Sequence, residues 1–127
     1  MSRTVISTTM MLRHLAQLTV AWFNHRDMPP LRVDDYAEHA ERVWASARRA
    51  GDAPWFALGL RHALATKGDD AAELTNERFA YSDADARELF EYLLRVMPAD
   101  VPAVGDPAQV EFQAMTRPEW EARRGSA

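Results

Sequence analysis

Residues 52–67, Asp-Ala-Pro-Trp-Phe-Ala-Leu-Gly-Leu-Arg-His-Ala-Leu-Ala-Thr-Lys, decide the fold class. Wound at about 100° per residue, Trp55, Phe56, Leu58, Leu60, Ala63 and Leu64 leave only a narrow polar strip around Arg61. A helix apolar on almost every side is buried on most of them, so this stretch is expected to be a central helix. Asp52 stands where an N-cap is wanted, Pro54 fits the first turn, and Gly68 can close the helix in a left-handed conformation. Gly59 in the interior costs about 1 kcal/mol against alanine. Close approach by another backbone would justify it, and the Ala-rich helix that precedes is the expected neighbour.

That preceding helix spans about Asp34 to Ala50, with Asp34 as a cap candidate and Tyr36, Ala40, Val43, Trp44, Ala47 and Ala50 on one face. Glu38 and Arg42 are spaced to pair across one turn on its wet side. Gly51 and Asp52 join it to the central helix so tightly that a hairpin is expected. Upstream, Met11, Leu15, Leu18 and Trp22 form the stripe of a helix from about Thr8 to His25, which Asp27-Met-Pro-Pro ends. Downstream, Asp70-Ala-Ala-Glu73 fits a capping box for a short helix to about Arg78. A further helix starts at Ser82–Asp85 and runs to about Met97, burying Ala86, Leu89, Leu93, Val96 and Met97 and exposing an Arg87–Glu91–Arg95 ladder.

Residues 98–107, with three prolines and one glycine, read as a linker or wrapping arm. Asp106-Pro107 is expected to open a helix carrying Val110, Phe112 and Met115, and Thr116-Arg-Pro-Glu119 is a second capping box, before Trp120. No run alternates as a strand should. The expected architecture is therefore all-α: a compact single-domain bundle of four to five main helices over residues 1–97, with a proline-rich connection to a short helical C-terminal tail, residues 98–127, packing on that core.

At 127 residues the chain buries enough surface to fold as one domain without staples. It has no cysteine, which removes disulfides, thiol nucleophiles and thiolate metal sites, and fits a reducing, cytoplasmic setting. Lys67 is the one lysine among 15 basic residues, a bias expected of a high-GC bacterial or phage coding sequence. The net charge of −4 is unevenly spread. Residues 1–26 carry Arg3, Arg13 and Arg26 and no acid, whereas residues 69–91 set eight carboxylates against Arg78 and Arg87. No apolar run approaches the ~18 residues of a membrane span.

The chemistry-bearing residues form no familiar set. His14, His25, His39 and His62 include no pair at the three- or four-residue spacing that puts two imidazoles on one helical face; Asp35 and His39 are four apart, a spacing shared by any helical acid–histidine pair. Glycines are isolated, so no phosphate-cradling loop is present, and no serine, histidine and aspartate are arranged legibly for nucleophilic catalysis. No cofactor, no metal and no catalytic residue is expected, and an enzyme is the less favoured class. Leu60-Arg-His-Ala-Leu-Ala-Thr-Lys-Gly68 with Ala71-Ala-Glu-Leu74 resembles the first helix and the start of the second in Xre-type helix-turn-helix repressors. That resemblance implies a recognition helix entering the major groove next. Here the continuation, Thr75 to Asp85, is acidic and aromatic, which opposes phosphate contact. Nucleic acid is therefore not the expected partner.

The expected function is that of a protein–protein interaction module, such as an adaptor, an immunity or inhibitor protein, a chaperone or an accessory subunit. A helix-turn-helix regulator and a small-ligand or enzymatic bundle using the aromatic interior are the alternatives. The partner is expected to be another protein, basic where it meets the acidic face formed by Asp70, Glu73, Glu77, Asp83, Asp85 and Glu88, with a homodimer as a variant and no membrane.

Overall fold

The computed structural model describes residues 3–24, 32–66 and 83–125. It is mostly helical, with two short strands. Strand β1 (Thr4–Ser7) runs straight into helix α1 (Thr8–Phe23). Ser7 is both the last strand residue and the N-cap, its hydroxyl accepting from the Met10 amide at 3.0 Å. Met10, Met11, Leu15, Leu18 and Trp22 are buried. A 3₁₀ turn (Val33–Tyr36) leads into α2 (Ala37–Arg49), which buries Ala40, Val43, Trp44 and Ala47. Asp34 lies within the 3₁₀ turn and caps nothing by side chain, because that turn itself supplies the first turn of the helix. On the wet face Glu38 and Arg42 pair at 3.2 Å.

Helix α2 ends in a Schellman motif. Gly51 takes φ +78°, its amide bonds to Arg48 O and the Asp52 amide to Ala47 O. Helix α3 (Ala53–Ala65) follows immediately and buries Phe56, Ala57, Leu58, Gly59, Leu60, His62 and Ala63. It ends at Ala65, with Thr66 extended, ahead of Gly68, which lies outside the described residues, as does the helix expected over 70–78. Phe56 is the hub of the aromatic core, edge-on to His14 at 5.7 Å and to Trp44 at 5.3 Å.

Helix α4 (Asp83–Arg95) packs on α3, burying Ala86, Leu89, Phe90, Tyr92 and Leu93. The Trp44 indole donates to Leu93 O at 2.9 Å, tying α2 to α4. Two expectations change here. The helix stops at Arg95, two residues early, and Val96, whose amide still bonds to Tyr92 O, is 41% exposed rather than buried. Arg87 is turned onto α3, donating to Leu64 O and Thr66 O, where a cation meets the negative end of the helix dipole.

Val101 and Val104 pack against the core on the way to strand β2 (Val110–Gln113), which pairs in parallel with β1, Thr4 opposite Val110 and Ser7 opposite Gln113. This corrects the expected helix over the same residues and the expectation of no strands. Val110-Glu-Phe112-Gln repeats with period two, and a parallel pair needs a long crossover, here the helical body itself. Helix α5 (Arg117–Gly125) opens with the predicted capping box: Thr116 N donates to Glu119 Oε1 at 3.1 Å and Glu119 N to Thr116 Oγ1 at 3.3 Å. Val110 and Trp120 both belong to the buried core.

Gly59 faces α1 and β2 and not α2. A Cβ there would stand 2.6 Å from the Met11 thioether and 3.4 Å from Phe112. Gly59→Leu should therefore destabilise the chain by at least the ~1–3 kcal/mol usual for overpacking. Adding Met11→Ala should recover part of that loss in urea unfolding; no recovery would mean that Met11 is not what the new side chain meets.

Candidate functional site

Asp52 is the most constrained side chain described. It is fully buried at the α2–α3 turn, and its carboxylate is occupied by four donors. Oδ1 accepts from Trp120 Nε1 at 2.9 Å and Arg124 Nη1 at 2.6 Å; Oδ2 accepts from His14 Nε2 at 2.7 Å and Arg117 Nη1 at 2.7 Å. A carboxylate offers about four lone-pair sites, so all are used. Instead of capping α3, as its position in the sequence suggests, the side chain turns inward; α3 begins without a side-chain cap bond. Burial pushes the carboxyl pKa up, but the hydrogen bonds from His14, Arg117 and Trp120 and the Arg117 charge outweigh it and hold the group well below the usual carboxylate range.

The two arginines stand seven residues, about two turns, apart on α5 and serve a second purpose. Arg117 Nη2 and Arg124 Nη1 also donate to Ala50 O, at 2.8 and 2.9 Å, satisfying a carbonyl at the C-terminal end of α2. Arg117 is further held by Glu121 at 2.9 Å, and Arg124 lies 5.9 Å over the Trp55 ring. A Cβ on Gly51 would meet Arg124 Nη1 at 3.3 Å, so that glycine is needed for its positive φ and for space.

On the other side, His14 links Asp52 to Ser46, whose hydroxyl is 3.0 Å from Nδ1. The ionised carboxylate can only accept, so Nε2 carries a proton; in the neutral ring Nδ1 is then the acceptor and the Ser46 hydroxyl the donor. This serine–imidazole–carboxylate chain was not legible in the sequence, where residues 14, 46 and 52 share no motif. It has the polarity of a hydrolytic triad. Its serine, however, lines neither of the grooves described next. Its evident work is to anchor α1 and α5 to the α2–α3 turn. His62 is likewise buried and structural, Nδ1 donating to Pro107 O at 2.7 Å, and His39 is half-buried against Trp22. Among the described residues no three histidine or acidic side chains group to hold a metal ion.

Two surface grooves flank Arg48. The first, about 290 Å³, lies between α2 and the end of α4 and is lined by Trp44, Tyr92, Val96 and Pro98 with Glu41 on its rim. The second, about 200 Å³, is walled by Gly51, Pro54, Trp55, Val101 and Pro102. Arg48 lines both and is paired with Asp100 at 2.7 Å. The wall around Gly51, Pro54 and Trp55 is the turn that the Asp52 cluster braces.

Of the acidic residues expected to meet a partner, Asp70, Glu73 and Glu77 lie outside the described residues. Asp83 begins α4, Asp85 is half-buried and Glu88 is exposed on the same helix. Among known proteins, no family model, no curated sequence and no solved structure matches the chain.

The Asp52 cluster has a pH signature. An aspartate titrates near 3.9 in the unfolded chain and far lower in the fold, so its contribution is complete above pH ~4 and is lost as pH falls below that. Asp52→Asn puts an amide donor against donors. It should cost about 3 kcal/mol at pH 7, the low end for breaking a buried pair, because Arg117 and Arg124 are still 28% and 20% exposed. In urea titrations the gap between wild type and variant should narrow steadily as pH falls below ~4, the unfolded ionisation. A gap that does not change with pH would contradict the ionised assignment.

Proposed function

We propose that this protein works by binding another polypeptide, with the two grooves on either side of Arg48 as the seat. The observation that carries this reading is Val96. It is a large aliphatic side chain left 41% exposed where α4 ends, and it lies in a groove already walled by Trp44, Tyr92 and Pro98. Scattered apolar residues on a surface mean little, but one that completes an apolar concavity marks a place for a partner.

Shape favours a polypeptide over a small ligand, since pockets for drug-sized molecules bury most of the ligand surface. Grooves of about 290 and 200 Å³, open to solvent and adjacent, suit successive anchor side chains of one segment. The acidic residues Asp70, Glu73, Glu77, Asp83, Asp85 and Glu88 are proposed to contribute long-range attraction rather than contact area, since charge steers encounter more than it sets affinity.

A photo-crosslinking residue in place of Val96, in cells that carry the gene, tests the reading. A control carries the same residue in place of Gln17, exposed on α1. A discrete crosslinked polypeptide is expected from position 96 and not from position 17. A crosslink to a second copy would identify self-association. Equal labelling from both positions would remove the grooves as the binding surface.

A further inference from the structure

The charges around the first groove point to the chemistry of what occupies it; the inference rests on the groove reading above. Arg48 is neutralised by Asp100 at 2.7 Å, and Arg95 lies 5.6 Å over the Tyr92 ring, its charge partly spent on that face. Glu41 lines the groove on α2 and makes no ion pair among the described residues. Asp34, close enough to act on the Tyr92 hydroxyl, has only a loose contact with Arg32 at 3.8 Å, both side chains being more than half exposed. Tyr92 itself is held above the usual phenol range, by burial first and then by Asp34 and Glu41, with Arg95 opposing. The groove thus pairs an apolar floor with unmatched carboxylate at the Ala37–Glu41 end.

We propose that the occupant is a segment of another protein in which a lysine or arginine sits beside a bulky apolar side chain. The apolar residue enters between Trp44, Tyr92 and Val96, and the cation meets Glu41, with Asp34 adding to the field. An acidic or uncharged segment would leave Glu41 partly desolvated without a partner, which selects against it.

Two synthetic amphipathic peptides of one length, with identical leucine and phenylalanine anchors, serve as probes. One carries lysines and the other glutamates at the polar positions, and fluorescence anisotropy reads binding to the full chain at ~0.15 M salt. The lysine peptide should bind about three- to fivefold more tightly than its twin, the size expected of exposed ion pairs. Glu41→Gln should remove most of that preference without weakening the glutamate peptide, and Val96→Asn should weaken both. Equal or tighter binding of the glutamate peptide, with Val96→Asn still weakening both, would overturn the cationic occupant and leave the groove reading standing. Failure of both peptides to bind, or binding indifferent to Val96→Asn, would overturn the groove reading too.

Discussion

A carboxylate with no access to water must either keep a proton or be surrounded by donors, and Asp52 is surrounded. Its four donors come from α1 and from three positions of α5, so one side chain ties together the beginning, the middle and the end of the chain. The exchange is reciprocal. Without Asp52, the Trp120 indole would lose its acceptor and Arg117 and Arg124 their buried counter-charge, and without α5 the buried carboxylate would be left with His14 alone. The β1–β2 pair closes the same circuit through the backbone, joining residues 4–7 to 110–113. The short C-terminal helix thus belongs to the core through Trp120, which is buried and stands edge-on to Trp55 at 6.2 Å.

The most chemically conspicuous group of residues is therefore occupied by structure. A buried imidazole between a hydroxyl and a carboxylate, with a strongly perturbed acid, is the pattern by which active sites are often found, and structural ion networks produce it as well. Position separates the two here, because Ser46, the group that would have to meet a substrate, lines neither of the two grooves. The functional candidate is less conspicuous. It lies where α4 gives out at Arg95 and where the braced α2–α3 turn presents Arg48, Pro54 and Trp55. For the proposed binding role, a turn braced by that many bonds beside an apolar concavity is favourable, since a preformed surface lowers the ordering cost of binding.

Features that depend on neighbours within a turn or two were legible in the sequence. The stripes of α1 and α2, the nearly all-round apolar character of α3, the Glu38–Arg42 pair and the Thr116–Glu119 capping box follow from periodicity and short spacing. So does the tight α2–α3 connection, since Gly51 announces a left-handed residue. Misreadings arose where a local rule competed with a distant partner. Asp52 occupies an N-cap position and serves four donors instead; Arg87 sits on an i, i+4 ladder and reaches the end of α3 instead. Val96 continues an apolar stripe, yet at the end of α4 it stands exposed.

By itself, then, the sequence determined that this chain is mostly helical, where its main buried faces lie and that α3 is buried around most of its surface, because helical hydrogen bonds and amphipathic spacing are set within a few residues. Tertiary structure alone decided that Thr4–Ser7 pairs with Val110–Gln113, that His14, Ser46, Asp52, Arg117, Trp120 and Arg124 form one network, and that Val96 is left in a groove. The physical reason is separation. The bonds to Asp52 span 38 to 72 residues of chain, and pairing of that kind leaves no periodic trace in either segment until both are in place.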